Sequence, residues 1–320
     1  MIRSILVSAV IGALSVVPVS NQCVFLPDNN LKIPIGSLED KGITQAQFNA
    51  VMDQAEALYK PVIAARGARL VLKRLWDNNT VNASAQQQGK DWILNMYGGL
   101  ARHATITQDG MALVVCHELG HHIGGAPKYD GNDWASNEGE SDYFANLKCL
   151  RRMFASPAGQ SFTRPKGGDE ATARAGCEAA WKGESDRALC TRAAMAGMSV
   201  TSLFRVLRGQ TVLPKFDTPD ATVVTETQDG HPDTQCRLDT YYAGSLCTRA
   251  VGDALSETDP NAGTCSAASG HSLGLRPLCW YKPAGAPVSE PPAFAAASAK
   301  AVKTSAVADS LKNPALWTGL

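Results

Sequence analysis

The sequence has 320 residues, of which 44% are hydrophobic and 19% are charged. This is a globular composition, long enough to bury one sizeable core or two modest ones. Lysine and arginine together number 30, as do aspartate and glutamate. The balance gives no sign of a nucleic-acid partner or of a polybasic membrane-binding surface.

The N-terminus has the layout of a secretory signal peptide. Arg3 precedes an uncharged apolar run at 5–17, which is shorter than the ~20 residues of a comfortable transmembrane span. We therefore predict a signal peptide at 1–22 and an exported protein, periplasmic or secreted, without a transmembrane span. Lipid attachment through Cys23 is disfavoured, since Ser20-Asn21-Gln22 lacks the usual small residue just before that cysteine.

Cysteines are frequent in the rest of the chain. In an exported protein they predict disulfides, although their connectivity cannot be derived from sequence. No pair has the CxxC spacing of a zinc ribbon, and the odd total leaves one cysteine over. The nine are Cys23, Cys116, Cys149, Cys177, Cys190, Cys236, Cys247, Cys265 and Cys279.

The first predicted elements are one helix and a group of strands. Thr44-Gln45-Ala46-Gln47 has capping-box form, and apolar residues at helical spacing predict a helix from there to near Gly67. Three strands are predicted at 68–76, 81–85 and 92–97, which together suggest a small antiparallel sheet.

Helices dominate the remainder. A helix from about Gln108 to Gly124-Gly125 is apolar nearly all round and is expected to be central and buried. After a loop at 126–136, a third helix is predicted from near Asn137 to Met153. Two more helices are predicted at about 170–181 and 187–207.

These elements predict an α+β fold that is mainly helical with a small sheet. Residues 23–280 are expected to form one domain. A tail at 281–320, rich in proline, alanine and serine, is expected to be a mobile extension.

The most informative motif is His117-Glu118-Leu119-Gly120-His121. Positions i and i+4 share a helix face, so both imidazoles can reach one metal ion. Glu118 is turned by ~100° from His117 and can take a proton from a zinc-bound water. A chance occurrence of this short motif is disfavoured, because burying three ionisable groups without a metal would be costly. His122 faces elsewhere and is expected to be structural.

A catalytic zinc site needs a third protein ligand. Pro127 stands where an HExxHxxGxxH arrangement would need a histidine, which excludes that arrangement. By distance alone either Glu138 or Glu140 could serve. Asp142 lies one helical turn after Glu138, so Glu138 could bind the metal while Asp142 orients a ligand histidine. A solvated charge is the alternative role for Asp142.

The combined pattern resembles the gluzincin family of the type I CAAX prenyl proteases and the bacterial heat-shock protease HtpX. The resemblance spans roughly residues 44–238, and its motifs occur in the family's order. Besides HExxH and E-x-x-[small]-D, the similar segments are Val81-Asn82-Ala83-Ser84-Ala85, Gly98-Gly99-Leu100, Asp142-Tyr143-Phe144-Ala145 and the H-P-x-x-x-x-R stretch His231–Leu238. Many family members are integral membrane proteins, whereas this chain looks more like soluble, exported members.

The resemblance implies a zincin-like fold, with one Zn²⁺ per chain bound by His117, His121 and Glu138. It also implies a substrate-binding edge strand to which a protein or peptide substrate adds. That edge comprises Asn82, Ala83, Gly98 and Gly99.

The resemblance further implies that His231 and Arg237 lie near the metal and stabilise the oxyanion as catalytic groups beside Glu118. A helix cap and a surface salt bridge are the alternative roles for these two residues.

The sequence therefore predicts a zinc-dependent endopeptidase that acts on envelope or extracellular proteins. The alternative is a non-catalytic, metal-stabilised envelope protein with a binding or chaperone role, and a helix pair without metal is a third possibility. The presence of Glu118 favours the enzyme, since a protein without catalysis has no chemical need for it.

Overall fold

The structure is a computed structural model that describes residues 22–165 and 169–285. The predicted signal peptide up to residue 21 and the predicted tail from residue 286 onward lie outside the described residues. Gln22, the last residue of the predicted signal peptide, is the first residue of a strand.

The described residues combine helices with one small mixed sheet, which confirms an α+β architecture at this coarse level. The strands are β1 (Gln22–Val24), β2 (Arg69–Leu75), β3 (Ala83–Gln88) and β4 (Asp91–Tyr97). The helices are α1 (Gln45–Ala64), α2 (Gly98–Ala101), α3 (Gln108–Ile123), α4 (Glu138–Phe144), α5 (Leu150–Ala155), α6 (Pro157–Gln160), α7 (Glu170–Ala180), α8 (Glu184–Leu207) and α9 (Thr234–Leu246), with a π-helical turn at Ala145–Cys149 and a 3₁₀ turn at Ala267–Ser269.

The sheet has the strand order β1-β3-β4-β2. β3 and β4 form an antiparallel hairpin that closes at Gln88↔Asp91, and its turn contains Gly89 at φ 60°. β2 and β4 run parallel, from Arg69↔Asp91 to Leu75↔Tyr97, so the predicted all-antiparallel sheet is wrong. After β2 the chain forms β3, which is not a neighbour of β2 in the sheet. The hairpin then places β4 between β3 and β2, where β4 runs parallel to β2.

The structure adds β1, α9 and the short helices α2 and α6 to the predicted elements, and it divides the predicted helix from Asn137 to Met153. β1 pairs antiparallel with β3. The divided helix runs as α4, the π-helical turn and α5 in direct succession. The capping box of α1 is confirmed, because Thr44 accepts from the backbone of Gln47 and the Gln47 side chain accepts from the backbone of Thr44.

α3 is the central element, as its uniform apolarity predicts. Every residue of α3 is buried, and the helix packs against α1, α4, α8 and the sheet. The Thr107 side chain caps its first turn by accepting from the Gly110 N–H. A polar group on this helix is therefore removed from solvent and must find its partners inside the protein.

Four disulfides confirm the predicted use of the cysteines. They are Cys116–Cys149, Cys177–Cys190, Cys236–Cys279 and Cys247–Cys265, and Cys23 is unpaired and buried. The first of them ties α3 to the π-helical turn next to the HExxH motif. Among the described helices, none combines the length and apolarity that a membrane crossing requires.

Candidate metal centre

His117, His121 and Glu138 converge in the interior. One potential ligand atom from each lies within 4.8 Å of the others, and all three side chains are buried. The two Nε2 atoms are 3.1 Å apart, and Glu138 Oε2 lies 3.3 Å from His117 Nε2. This group could hold a metal ion, since two imidazoles and a carboxylate are a donor set typical of zinc.

The close approach of α3 and α4 brings Glu138 to the histidines. A Cβ on Gly120 would lie 2.9 Å from the Cα of Ser141, so the small residue between the two histidines permits this approach. Asn137 caps α4 by accepting from the Glu140 N–H, which makes Glu138 the first residue of the helix. The following turn then places Asp142 on the same side as Glu138.

Glu118 lies beside the histidines with neither carboxylate oxygen hydrogen-bonded by any described residue. Its side chain has no exposure, and burial raises its pKa to about 8. A buried carboxylate without partners is costly unless something further binds it. The position of Glu118 therefore suits an interaction with a ligand of the metal. None of the described hydrogen bonds uses its carboxylate to stabilise the fold.

Asp142 anchors the first histidine. Its Oδ1 lies 2.7 Å from His117 Nδ1 and accepts from the Tyr241 hydroxyl at 2.8 Å. Burial disfavours the charge on His117, but Asp142 outweighs it and raises the His117 pKa to about 9. Burial likewise opposes ionisation of Asp142, yet Arg237 and His117 lower its pKa. This bond leaves His117 Nε2 directed at the metal group.

His121 is oriented by different atoms. Its Nδ1 lies 2.8 Å from the Ser136 carbonyl oxygen and 3.0 Å from Ser141 Oγ. Burial lowers the His121 pKa to about 4, which favours the neutral imidazole that a metal binds. Each candidate ligand histidine thus has its outer nitrogen held by an oxygen of the protein.

Arg237 contacts Asp142 in the structure. It donates to both oxygens of Asp142 at 2.6 and 2.7 Å and to the Phe25 carbonyl at 3.1 Å. The guanidinium is fully buried and lies behind Asp142, so it has no direct access to a substrate oxyanion. These contacts favour a role in holding Asp142, and the catalytic role of Arg237 stays a prediction. The surface salt bridge considered as its alternative is excluded.

His231 does lie at the predicted place. Its Nε2 is 3.4 Å from Glu138 Oε2 and 2.7 Å from the carbonyl oxygen of Val24. Tyr129 approaches the same carboxylate from another direction, and its hydroxyl donates to Glu138 Oε1 at 2.6 Å. Two hydrogen-bond donors therefore flank Glu138 beside the candidate metal position.

The predicted substrate edge strand is not free. β3 begins at Ala83, but β1 of the same chain already pairs with it. Phe25 N–H donates to the Ala83 carbonyl, and Asn82 Oδ1 accepts from the Leu26 N–H at 3.0 Å. Asn82 and Ala83 therefore do not form an open edge in this structure, because β1, a strand that was not predicted, fills it. That a substrate adds at this edge stays a prediction.

Gly98 and Gly99 do not belong to that edge either. Both lie in α2, where a Cβ would come within 1.9 Å of the Trp76 carbonyl oxygen and 2.0 Å of the Asn79 carbonyl oxygen, respectively. These glycines permit close packing of α2 against the segment that follows β2. They are structural in this fold.

Glu140, the other candidate ligand, points away from the histidines. Its carboxylate receives two hydrogen bonds from Arg276, one of them at 2.9 Å, and both side chains are buried. His122 also lies outside the metal group, as expected. It is stacked between Trp92 and Trp134 at centroid distances of 5.2 and 5.0 Å.

Sequence reasoning missed several residues of the centre. Tyr129 and Ser136 lie in the loop between α3 and α4, where no periodicity marks them, and Ser141 lies within α4 as the small residue before Asp142. Tyr241 was detectable in principle, since it lies one turn after Arg237 and would share its face once α9 is assigned.

Cys23 lies at the margin of the centre. It lines a cavity of about 480 Å³ together with Tyr129, Glu138 and His231. Burial, then the carboxylates of Glu138 and Glu118, raise the pKa of its thiol. Cys23 is 7% exposed, so its thiol is largely shielded from solvent.

Comparisons with protein-family models, with curated proteins and with solved structures gave no match to this chain.

Proposed function

We propose that this protein is a zinc-dependent endopeptidase with a zincin-like fold and a gluzincin-type metal site. The observation that carries the proposal is the convergence of His117, His121 and Glu138, with Glu118 buried beside them and unpaired among the described residues. A metal-stabilised binding protein would need the three ligands but has no use for the buried carboxylate of Glu118. The donor set fits zinc better than magnesium or calcium, which prefer oxygen ligands.

A zinc ion bound there would lower the pKa of a coordinated water towards ~7 and polarise the scissile carbonyl. Glu118 is placed to accept the proton of the attacking water and to pass it to the leaving amine. Its burial supports this role, since burial raises its pKa towards the working range of a general base.

His231 and Tyr129 are the donors for the oxyanion in this proposal. Both reach Glu138 from outside the histidine pair, so they bracket the position where a substrate carbonyl would meet the metal. His231 Nε2 already donates to a backbone carbonyl, that of Val24. The same nitrogen can serve the carbonyl of a bound peptide.

The four disulfides support export to an oxidising compartment. A protein or peptide of the envelope or the extracellular space is then the substrate class. The acidic and basic residues are balanced, so net charge adds no preference among such substrates.

The decisive experiment compares the wild type with Glu118→Gln. We expect the wild type to contain about one zinc per chain and to cleave casein, while the variant keeps its zinc and loses ~10²–10⁴-fold in kcat. Zinc is measured by elemental analysis and cleavage by the appearance of new peptide termini. Equal cleavage by the two proteins would overturn the proposed mechanism, and a zinc-free wild type would overturn the metal site.

A further inference from the structure

β1 occupies the sheet edge where an extended peptide would add. The register pairs Gln22 with Gln86, Cys23 with Ala85 and Val24 with Ser84. The Phe25 N–H bonds to the Ala83 carbonyl oxygen, and hydrogen-bonded pairs alternate along an antiparallel ladder. Cys23 therefore directs its backbone groups at β3, whereas Val24 directs its own away from β3.

The outward groups of β1 meet the candidate catalytic machinery. The Val24 carbonyl accepts from His231 Nε2 at 2.7 Å, the nitrogen assigned above to the oxyanion. Residues i and i+2 share a strand face, so Cys23 lies on the same side as Phe25, whose ring is 4.9 Å from that of His117. β1 thus lies along the metal centre as a bound peptide would.

The anchoring of this segment is uneven. Phe25 and Leu26 are fully buried in the main core, and Arg237 holds the Phe25 carbonyl. Before them, β1 has three paired residues and two side-chain hydrogen bonds, from Gln22 to Ser84 and from His231 to the Val24 carbonyl. Gln22 and Val24 are half-buried. The chain can therefore separate from β3 up to Val24 without disturbing the core.

We propose that Gln22–Val24 is an autoinhibitory strand, which a peptide substrate must displace from β3 before it reaches the metal. This inference rests on the proposed function, because it assigns the regulation of the same site. If β1 remains paired in most molecules, the apparent affinity for substrate equals the affinity of the open state multiplied by the fraction of molecules that are open. For an open fraction of ~1–10%, release of β1 would raise kcat/KM by ~10–100-fold.

A covalent lock tests the inference directly. Val24 and Ser84 form a non-hydrogen-bonded pair, whose short Cα distance suits a cross-strand disulfide, and both lie after the predicted signal peptide. The locked protein carries Val24→Cys and Ser84→Cys with Cys23→Ser, and its control carries Val24→Ser and Cys23→Ser and keeps Ser84. We expect the locked protein to cleave casein at less than about a tenth of the control's kcat/KM.

A pair of proline variants tests release. Cys23→Pro removes an N–H that the ladder uses, whereas Val24→Pro removes one that points away from β3. We expect Cys23→Pro to raise kcat/KM by about tenfold or more and Val24→Pro to leave it near the wild-type value. A locked protein as active as its serine control, or a Cys23→Pro variant no faster than Val24→Pro, would overturn the inference.

Alkylation of Cys23 by iodoacetamide separates this inference from the proposed function. All other cysteines are in disulfides, so the reagent reports on β1 alone. In Glu118→Gln, unfolded casein should accelerate alkylation several-fold by displacing the strand. If casein accelerates alkylation but the wild type does not cleave it, the strand is displaced and the proposed peptidase activity is rejected. If the wild type cleaves casein but casein does not accelerate alkylation, the peptidase activity holds and the autoinhibitory strand is rejected.

Discussion

Glu138 and Glu140 lie two residues apart on α4, and both are completely buried, yet their surroundings differ. Glu140 faces Arg276, which donates to both of its oxygens. Glu138 faces two histidines, and its Oε2 has no hydrogen bond from any described residue. A buried carboxylate paired with arginine has its charge and hydrogen bonds satisfied by the protein. One directed at imidazole nitrogens is available to a metal.

The pKa of Glu138 agrees with this contrast. Burial alone would raise it, but His231 and the two HExxH histidines outweigh burial and lower it. A carboxylate held in its charged form beside histidines is ready to bind a cation. Metal binding at His117 Nε2 would then displace the proton of that nitrogen, which Asp142 favours by stabilising the charged imidazole.

The strongest test exchanges each glutamate for alanine. Glu138→Ala should weaken zinc affinity by more than about 100-fold, beyond the range typical of groups that only orient a ligand. Glu140→Ala should leave zinc affinity of the folded protein unchanged and lower its free energy of unfolding by ~3–5 kcal/mol, because Arg276 is left buried and unpaired. Zinc titration and denaturant unfolding measure the two effects. Greater zinc loss from Glu140→Ala would reverse the assignment.

Tyr129 tests whether the surroundings of Glu138 take part in catalysis. Tyr129→Phe keeps the ring that stacks near His121 and removes only the hydroxyl bonded to Glu138. We expect kcat to fall by ~10²-fold with zinc content unchanged, as for loss of one oxyanion donor. If zinc affinity falls and kcat at saturating zinc does not, the hydroxyl only supports the ligand.

Asp142 lies on the same face of α4 as Glu138 and tests the support of the metal ligands. Asp142→Asn should weaken zinc affinity by ~10–100-fold, because the amide no longer fixes His117 and leaves Arg237 without its anion. Arg237→Lys should have a smaller effect in the same direction, since lysine keeps the charge but not the two-point contact. Zinc competition with a chelator measures both. An effect on kcat alone in Arg237→Lys would support the predicted catalytic role of Arg237.

A buried carboxylate outside the metal centre provides the mildest test, with no effect expected on hydrolysis. Asp239 is 2% exposed and accepts from the Asp220 N–H and from Gln235, and burial raises its pKa to about 7. Because the folded pKa exceeds the unfolded value, its contribution to stability is complete below about pH 4 and is lost as pH rises through about 7.

The unfolding free energy of the wild type should therefore fall between about pH 4 and pH 7 relative to Asp239→Asn, by roughly 1–3 kcal/mol. Denaturant unfolding at a series of pH values measures this difference. A constant difference across that range would show that Asp239 is ionised in the fold, as a carboxylate with a cationic partner would be.

The sequence by itself determined the local part of the centre. His117 and His121 share a face because the helical repeat is fixed, and the apolar run around them predicts a buried helix. The spacing of Glu138 and Asp142 selects Glu138 over Glu140 on the same physical basis. The predicted disulfide use and the main helices depend on composition and short-range pattern, which a single sequence contains.

Only the tertiary structure decided the groups that come from distant segments. Arg237 lies behind Asp142, β1 fills the edge beside β3, and β2 runs parallel to β4. These outcomes depend on which strands pair and which helices pack, and no local repeat encodes those choices. The N-terminal strand is the clearest case: three residues have little pattern of their own, and their place is set by the open backbone of β3 and the core that buries Phe25.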